Sequence, residues 1–238
     1  MVAKPQEPSS VALLWHEPRV GRRGPRPALT VEALVEAGIE LADDQGLDAL
    51  SMERVAKKLK VTTMALYRYV PSRAVLVDLM VDRGVGSPPK LAGPWRRRLL
   101  QWANALLEIF RRHPWSLEST GRIRVMGPFE LSWLEAGMAA LASTSLTPAE
   151  RRSACLALIS QVRTAAQFSQ PTSGPYQHFG WEEWTRLTRA LIATRPAHFP
   201  ELSRVMTQRS EVAGGLDWVL DGIAARLEQR AHEHRADR

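Results

Sequence analysis

Residues 51–73 read SMERVAKKLKVTTMALYRYVPSR, and this stretch predicts two short helices joined by a tight turn. Ser51 and Thr62 are suited to begin the helices, because a hydroxyl at that place accepts a hydrogen bond from the first turn. The first helix has an apolar face at helical spacing, made of Met52, Val55, Ala56 and Leu59. Pro71 ends the second helix, since proline cannot continue it. Together the pair predicts a helix-turn-helix.

Two flanking helices supply the core that this pair needs. Thr30 caps a helix that Gly46 ends, and Ser72 caps a further helix with an apolar face that includes Leu76 and Met80. The charges alternate along this region. Residues 29–50 carry six acids and no base, whereas residues 53–73 carry six bases against Glu53 alone. This pattern favours one face toward an anion, although an ordinary solvated surface would show it too.

The second helix of the pair is too short to bury two tyrosines and an arginine. A helix-turn-helix places this helix in the major groove of DNA, with its N-terminal residues toward the base edges. Ala65 and Leu66 are expected to face the core and the remaining side chains to face DNA. The predicted DNA contacts in this domain are Ser51, Lys60, Thr62, Thr63, Met64, Tyr67, Arg68, Tyr69 and Arg73.

Residues 1–28 contain five prolines and the run GRRGPRP, and we interpret them as a flexible basic arm. Arg22, Arg23 and Arg26 are expected to reach the minor groove. The helix-turn-helix domain is then expected at 29–83. Residues 84–94, GVGSPPKLAGP, predict a linker, because three glycines and three prolines cannot continue a helix.

Residues 95–231 predict a second, entirely helical domain for ligand binding and dimerisation, so the fold class is all-α. Thr147-Pro148-Ala149-Glu150 is a capping-box pattern with proline at the first helical position. The helix after it and the last helix are expected to pair with their copies in a four-helix bundle around a two-fold axis. The predicted dimer contacts are Leu156, Ile159, Leu216, Val219, Leu220, Ile223 and Leu227.

The stretch 29–80 resembles the DNA-binding domain of the tetracycline-repressor (TetR) family. The resemblance rests on the runs GLDALS, VAKKLKV and MALYRYVPSR, and a looser likeness to tetracycline-repressor-like C-terminal domains covers RRHPW, MGPFELSWLEAGMAALASTSLTPAE and GLDWVLDGIAARL. It implies an all-α homodimer that represses transcription at a palindromic operator and is released by a small molecule. Lys60 stands where the family often has glycine. If φ is positive there, lysine costs about 1 kcal/mol.

Eight tryptophans suggest an aromatic ligand site, although any single one is more simply a core residue. By resemblance, the site would lie among the helices that begin at Trp95, Pro128 and Pro148. The candidates are Trp102, Phe110, Met126, Phe129, Trp133, Gln161, Thr164 and Phe168. The absence of clustered carboxylates favours a mostly apolar or aromatic effector. Tetracycline repressors hold a magnesium–drug chelate through histidine and acidic ligands. Those ligands have no counterpart here, so we expect no metal and no cofactor, and interpret His113 as a packing or capping residue.

Composition narrows the alternatives. The formal net charge of +7 favours an anionic partner, and the single Cys155 fits a reducing compartment. No apolar run approaches the ~20 residues that span a bilayer. We therefore expect a cytoplasmic protein without a membrane partner. An enzyme is the first rival, but no catalytic or phosphate-binding signature survives placement on the expected elements. The second rival is a helical DNA-binding repressor without an effector.

Overall fold

The computed structural model describes residues 9–15, 29–169, 180–205 and 214–236. The expected all-α fold is confirmed, and these residues contain no strand. Apart from a short 3-10 turn at Leu47–Ala49, the elements are α1 (Ser9–Trp15), α2 (Val31–Gln45), α3 (Met52–Leu59), α4 (Thr63–Tyr67), α5 (Arg73–Val85), α6 (Trp95–Arg112), α7 (Trp115–Ser119), α8 (Pro128–Ala140), α9 (Pro148–Phe168), α10 (Trp181–Ala193), α11 (Pro200–Val205) and α12 (Gly214–Ala236). Of the helices in these ranges, none combines the length and the apolar character that crossing a membrane requires.

The chain forms two compact units that do not correspond to a single cut in the sequence. The first unit is Met1–Lys90 with Glu108–Ala136, and the second is Leu91–Leu107 with Gly137–Arg238. Helices α6 and α8 therefore each contribute residues to both units. The segment that follows the helix-turn-helix in sequence thus includes a part, 108–136, that packs with the N-terminal helices.

The helix-turn-helix forms where its capping residues predict it. The side chains of Ser51 and Thr62 accept from the backbone N–H groups three residues ahead, at 3.2 and 3.3 Å. Lys60 ends α3 in the left-handed conformation, with φ 57° and ψ 41°. Its N–H donates to Lys57 O at 3.2 Å, and Val61 N–H donates to Ala56 O at 3.0 Å. This is the Schellman arrangement, and it turns the chain sharply enough to start α4 three residues later.

The core of the first unit lies between α2, α3, α4 and α5. Leu34, Leu66 and Leu76 are fully buried in it. Helix α2 approaches α5 closely at Gly38, where an added Cβ would lie 2.7 Å from the sulfur of Met80. The recognition helix α4 contributes Leu66 to this core, so its orientation follows that of α2 and α5.

In the second unit, α9 packs against α12. The capping box predicted at the start of α9 is present. Glu150 accepts from Thr147 N–H at 2.8 Å, and Thr147 Oγ1 accepts from Glu150 N–H at 3.3 Å. The same carboxylate receives Arg226 and Arg230 from α12, each at 3.0 Å. The backbone bond from Thr147, followed by its hydroxyl and the arginines, lowers the pKa of Glu150 to about 2.

Three helices were not expected from the sequence. The arm predicted at 1–28 is not irregular throughout, because residues 9–15 form α1, whose Leu13 and Leu14 pack against the first core. Helix α7 follows the turn at His113, and α11 lies between α10 and α12. These helices are five to seven residues long, which is too short for apolar periodicity to reveal them.

Candidate nucleic-acid interface

One side of helix α4 is buried in the core of the first unit, and the other side is exposed to solvent. Leu66 and, just beyond the helix, Val70 are fully buried. Met64 and Tyr67 are 75% and 45% exposed, and Arg68 is exposed beside them. Thr62 is exposed and Thr63 half-buried. An apolar anchor behind a row of exposed polar and aromatic side chains is what a helix needs in order to enter a groove of DNA.

A shallow groove of about 420 Å³ runs beside α4. It is lined by Leu29, Val61, Ala65, Arg68 and Tyr69. Tyr69 is half-buried and packs against the core, so this predicted DNA contact presents only part of its ring. The groove brings an arginine and a phenol to the edge of the surface that α4 presents.

The turn before α4 carries positive charge. Lys57, Lys58 and Lys60 are all exposed. Lys58 pairs with Glu40 of α2 at 2.9 Å, and both side chains are largely exposed, so the pair adds little stability. The lysines are suited to phosphate contacts, which fix register without reading sequence.

Arg73 has partners inside the protein. Its Nε donates to Leu50 O at 2.8 Å and its Nη2 to Leu47 O at 2.7 Å. It therefore ties the start of α5 to the turn before α3, whereas the sequence suggested a phosphate contact. Ser51 likewise serves as the cap of α3. The arm residues Arg22, Arg23 and Arg26 lie outside the described residues.

A carboxylate joins α2 to the turn before α7. Asp43 accepts from Trp115 Nε1 at 2.7 Å, and its other contact is His113 Nδ1 at 2.8 Å. His113 is buried, and its ring stacks at a tilt on Trp115. His113 thus packs against α2 and α7 within the first unit. In the described part of the chain, no three His, Cys, Asp or Glu side chains are grouped as metal ligands.

The eight predicted effector residues divide evenly between the two units. Phe110, Met126, Phe129 and Trp133 belong to the first, and Trp102, Gln161, Thr164 and Phe168 to the second.

The effector candidates also differ in burial and in their contacts. Trp102, Phe110 and Trp133 are buried, while Met126 and Phe168 are more than 40% exposed. Phe129 and Gln161 are half-buried and Thr164 is exposed. Trp102 packs against Gly137, where an added Cβ would lie 3.0 Å from its indole, and the amide of Gln161 lies against Gly215 in the first turn of α12.

The predicted dimer contacts also fall into two groups. Leu220 and Ile223 are buried within the subunit, and their contact with a partner stays a prediction. Leu156 is 51% exposed, and Ile159, Leu216, Val219 and Leu227 are half-buried. Trp218, which is not among the predicted contacts, is 81% exposed on α12, one position before Val219.

Comparisons with known proteins agree with this geometry. Residues 34–80 match the model of bacterial regulatory proteins of the tetR family, and residues 87–227 match the tetracyclin repressor-like C-terminal domain. The chain is 33% identical to the HTH-type transcriptional repressor DrrR1 of Streptomyces coeruleorubidus over 94% of its length and 88% of that protein.

Solved structures show the same fold. The apo form of ActR from Streptomyces coelicolor matches 85% of this chain and 98% of its own with a TM-score of 0.73 at 22% identity. ActR in complex with actinorhodin matches the same shares with a TM-score of 0.70 at 24% identity. BioQ with its double-stranded DNA operator matches 83% of this chain and 99% of its own, with a TM-score of 0.56 at 20% identity. The helix-turn-helix, the two family models and the relative over nearly the whole chain lead to one conclusion: the protein belongs to the TetR family of DNA-binding transcriptional regulators.

Proposed function

We propose that this protein is a repressor that binds a palindromic operator as a homodimer and is released by a small, mostly apolar or aromatic effector. The observation that carries the DNA-binding part is the geometry of α4. This helix is fixed to the core by Leu66, and it exposes Met64, Tyr67 and Arg68. The exposed parts of these large side chains pack against nothing within the described residues, and their chemistry suits base edges and phosphates.

Each side chain has a role that its chemistry allows. Arg68 can donate two hydrogen bonds to a guanine or hold a phosphate. The hydroxyls of Thr63 and Tyr67 can bond bases or phosphates, and Met64 can contact a thymine methyl group. A dimer would place two such helices about 34–36 Å apart, one turn of DNA, which is why we expect a palindromic operator.

The test begins with selection of DNA from a random pool by the purified protein. Arg68→Ala and Tyr67→Ala should each weaken binding to the selected sequence, by about 1–3 kcal/mol if a base is read. Arg122→Ala is the matched control, because Arg122 is an exposed arginine of the same unit that pairs with Glu118 away from α4. Selection of no palindrome at low salt would sink the proposal, and unchanged binding of both α4 variants would refute the assignment of this surface.

The homodimer would use α9 and α12. Their exposed faces carry small residues beside two large apolar ones, Leu156 and Trp218. Gly222 has open space around it, and Ser160 and Ala157 are exposed on α9. Small residues allow helices to approach closely, and an exposed tryptophan among them is typical of an interface hot spot.

Sedimentation would measure this association. Trp218→Asp should give a monomer, whereas Leu191→Asp, which also places a charge on an exposed leucine, should leave the dimer intact. A dimer in both variants would place the interface elsewhere.

The effector part rests on the aromatic residues of each unit. ActR, which shares the fold, has been solved in complex with actinorhodin. Actinorhodin and a panel of aromatic metabolites are therefore the first probes. A compound that raises the melting temperature and releases the selected DNA would support the proposal. Retained DNA binding with every compound would favour the repressor without an effector.

A further inference from the structure

The first turn of α8 is held by a carboxylate from α5. Asp82 is only 5% exposed, and its Oδ1 accepts from the backbone N–H of Glu130 at 3.0 Å. The N–H of Phe129 also donates to it. Burial raises the pKa of Asp82, and these two N–H bonds oppose that shift. A negative charge at this place is stabilised by the partial positive charge of a helix N-terminus.

Gly127 makes room for the Asp82 carboxylate. A Cβ built on Gly127 would lie 2.2 Å from Cγ and 2.3 Å from Oδ1 of Asp82. No side chain fits at position 127 while the carboxylate is present. Positions 82 and 127 are therefore matched in size.

The arrangement is a capping box divided between two helices. Glu130 accepts from the N–H of Gly127 at 3.4 Å, as the third residue of a capping box does. The side chain that the N-cap residue would normally provide is missing, and Asp82 supplies its oxygen. Arg124 binds both oxygens of the buried Glu130, so the second acid at this helix end is neutralised.

Two indole N–H groups add bonds in the same place. Trp133 Nε1 donates to Gly86 O, at the end of α5, at 2.9 Å. Trp15 Nε1 donates to Met126 O at 3.0 Å, and its helix α1 packs on α5. The start of α8 is thus bonded to α5 directly and through α1. Helix α5 in turn begins five residues after Arg68 and shares the core that holds α4.

We propose that Asp82 is the positioning residue through which the first turn of α8 sets the placement of α5, and with it that of the recognition helix. Phe129 and Trp133, two of the expected effector contacts, lie on that turn and on the next. A compound that moves Phe129 disturbs the bond from the neighbouring Glu130 N–H to Asp82, and one that moves Trp133 disturbs its own bond to Gly86 O at the end of α5. This inference rests on the proposed operator binding.

The size match between positions 82 and 127 provides the test. Gly127→Ala alone should destabilise the protein strongly, because its Cβ overlaps the carboxylate. The double variant Asp82→Ala with Gly127→Ala should regain much of that stability, since the new methyl group occupies the place of the carboxylate. It should nevertheless bind the selected operator about tenfold more weakly, an effect within the usual range of coupling between sites. In hydrogen exchange, the amides of Phe129 and Glu130 should lose protection.

The controls separate positioning from folding. Asp78→Ala removes an acid from the same helix and should leave operator affinity unchanged. Operator binding by the double variant within about twofold of the wild type, at a temperature where both are folded, overturns the proposal. If the double variant does not fold, Asp82→Asn decides, because it preserves volume but loses one acceptor. Wild-type affinity in that variant overturns the proposal, and a clear loss supports it. A wild-type protein that selects no DNA refutes the proposed function itself, which is a separate result.

Discussion

Replacing Lys60 with glycine should make the protein more stable and its hold on DNA weaker. Among the described residues, Lys60 is the one non-glycine residue with positive φ. The left-handed conformation costs an L-residue about 1–2 kcal/mol. Glycine removes that cost but gains freedom in the unfolded chain, which costs about 0.4–1 kcal/mol. The net gain is about 0.5–1 kcal/mol, or roughly 2 °C in melting temperature for a chain of this size.

Lys60→Ala separates the two effects. Alanine removes the amine but retains the Cβ, so its stability should match that of lysine within about 0.5 kcal/mol. If Lys60 contacts a phosphate, both variants should reduce the salt dependence of operator binding by about one unit of slope. Guanidinium unfolding and operator titrations at several salt concentrations measure the two quantities. A glycine variant no more stable than the alanine variant would refute the argument from strain.

Three further predictions concern other parts of the chain. Gly137→Ala should cost about 1–3 kcal/mol in unfolding free energy, because its Cβ would lie 3.0 Å from the sulfur of Cys155; adding Cys155→Ala should recover part of this loss. Glu150 has a folded-state pKa of about 2, below its ordinary 4.5, so its contribution to stability is complete above pH 4.5 and disappears as the pH falls through 2. In acid unfolding, Glu150→Gln should therefore show a smaller loss of unfolding free energy between these pH values than the wild type. Arg73→Ala should lower the free energy of unfolding by about 1–2 kcal/mol, because its bonds to two backbone carbonyls are lost. Weaker operator binding with unchanged stability would instead show that Arg73 contacts a DNA phosphate.

Local signals predicted the long helices and their ends well. Thr30, Ser51, Thr62, Ser72 and Thr147 all cap the helices that the sequence assigned to them, because a cap depends on residues within one turn. A positive φ at Lys60 was raised only as a condition, from the family's preference for glycine at that place, and the structure has φ 57° there. The anchoring of α4 by Leu66 followed from its apolar character.

Contacts between distant residues could not be predicted in this way. Nothing local to Arg73 shows that it binds carbonyls more than twenty residues earlier, and nothing local to Asp82 shows that it caps α8. Leu220 and Ile223 looked equivalent to Val219 on an apolar helix, yet the packing of α9 decides which side faces inward. Such contacts are products of the tertiary fold and not of sequence spacing.

Glu150 caps α9 and also pairs with Arg226 and Arg230 of α12, and this has a consequence for the order of folding during synthesis. Its arginine partners lie 76 and 80 residues further along the chain, in the second half of α12. A ribosome that has released α9 must still make α12 before that carboxylate has all of its partners. The helix-turn-helix, by contrast, closes with contacts between near neighbours. The helix-turn-helix can therefore fold early, whereas α9 and α12, the helices expected to join two subunits, complete their contacts last. Subunits are therefore expected to associate only after α12 has been synthesised.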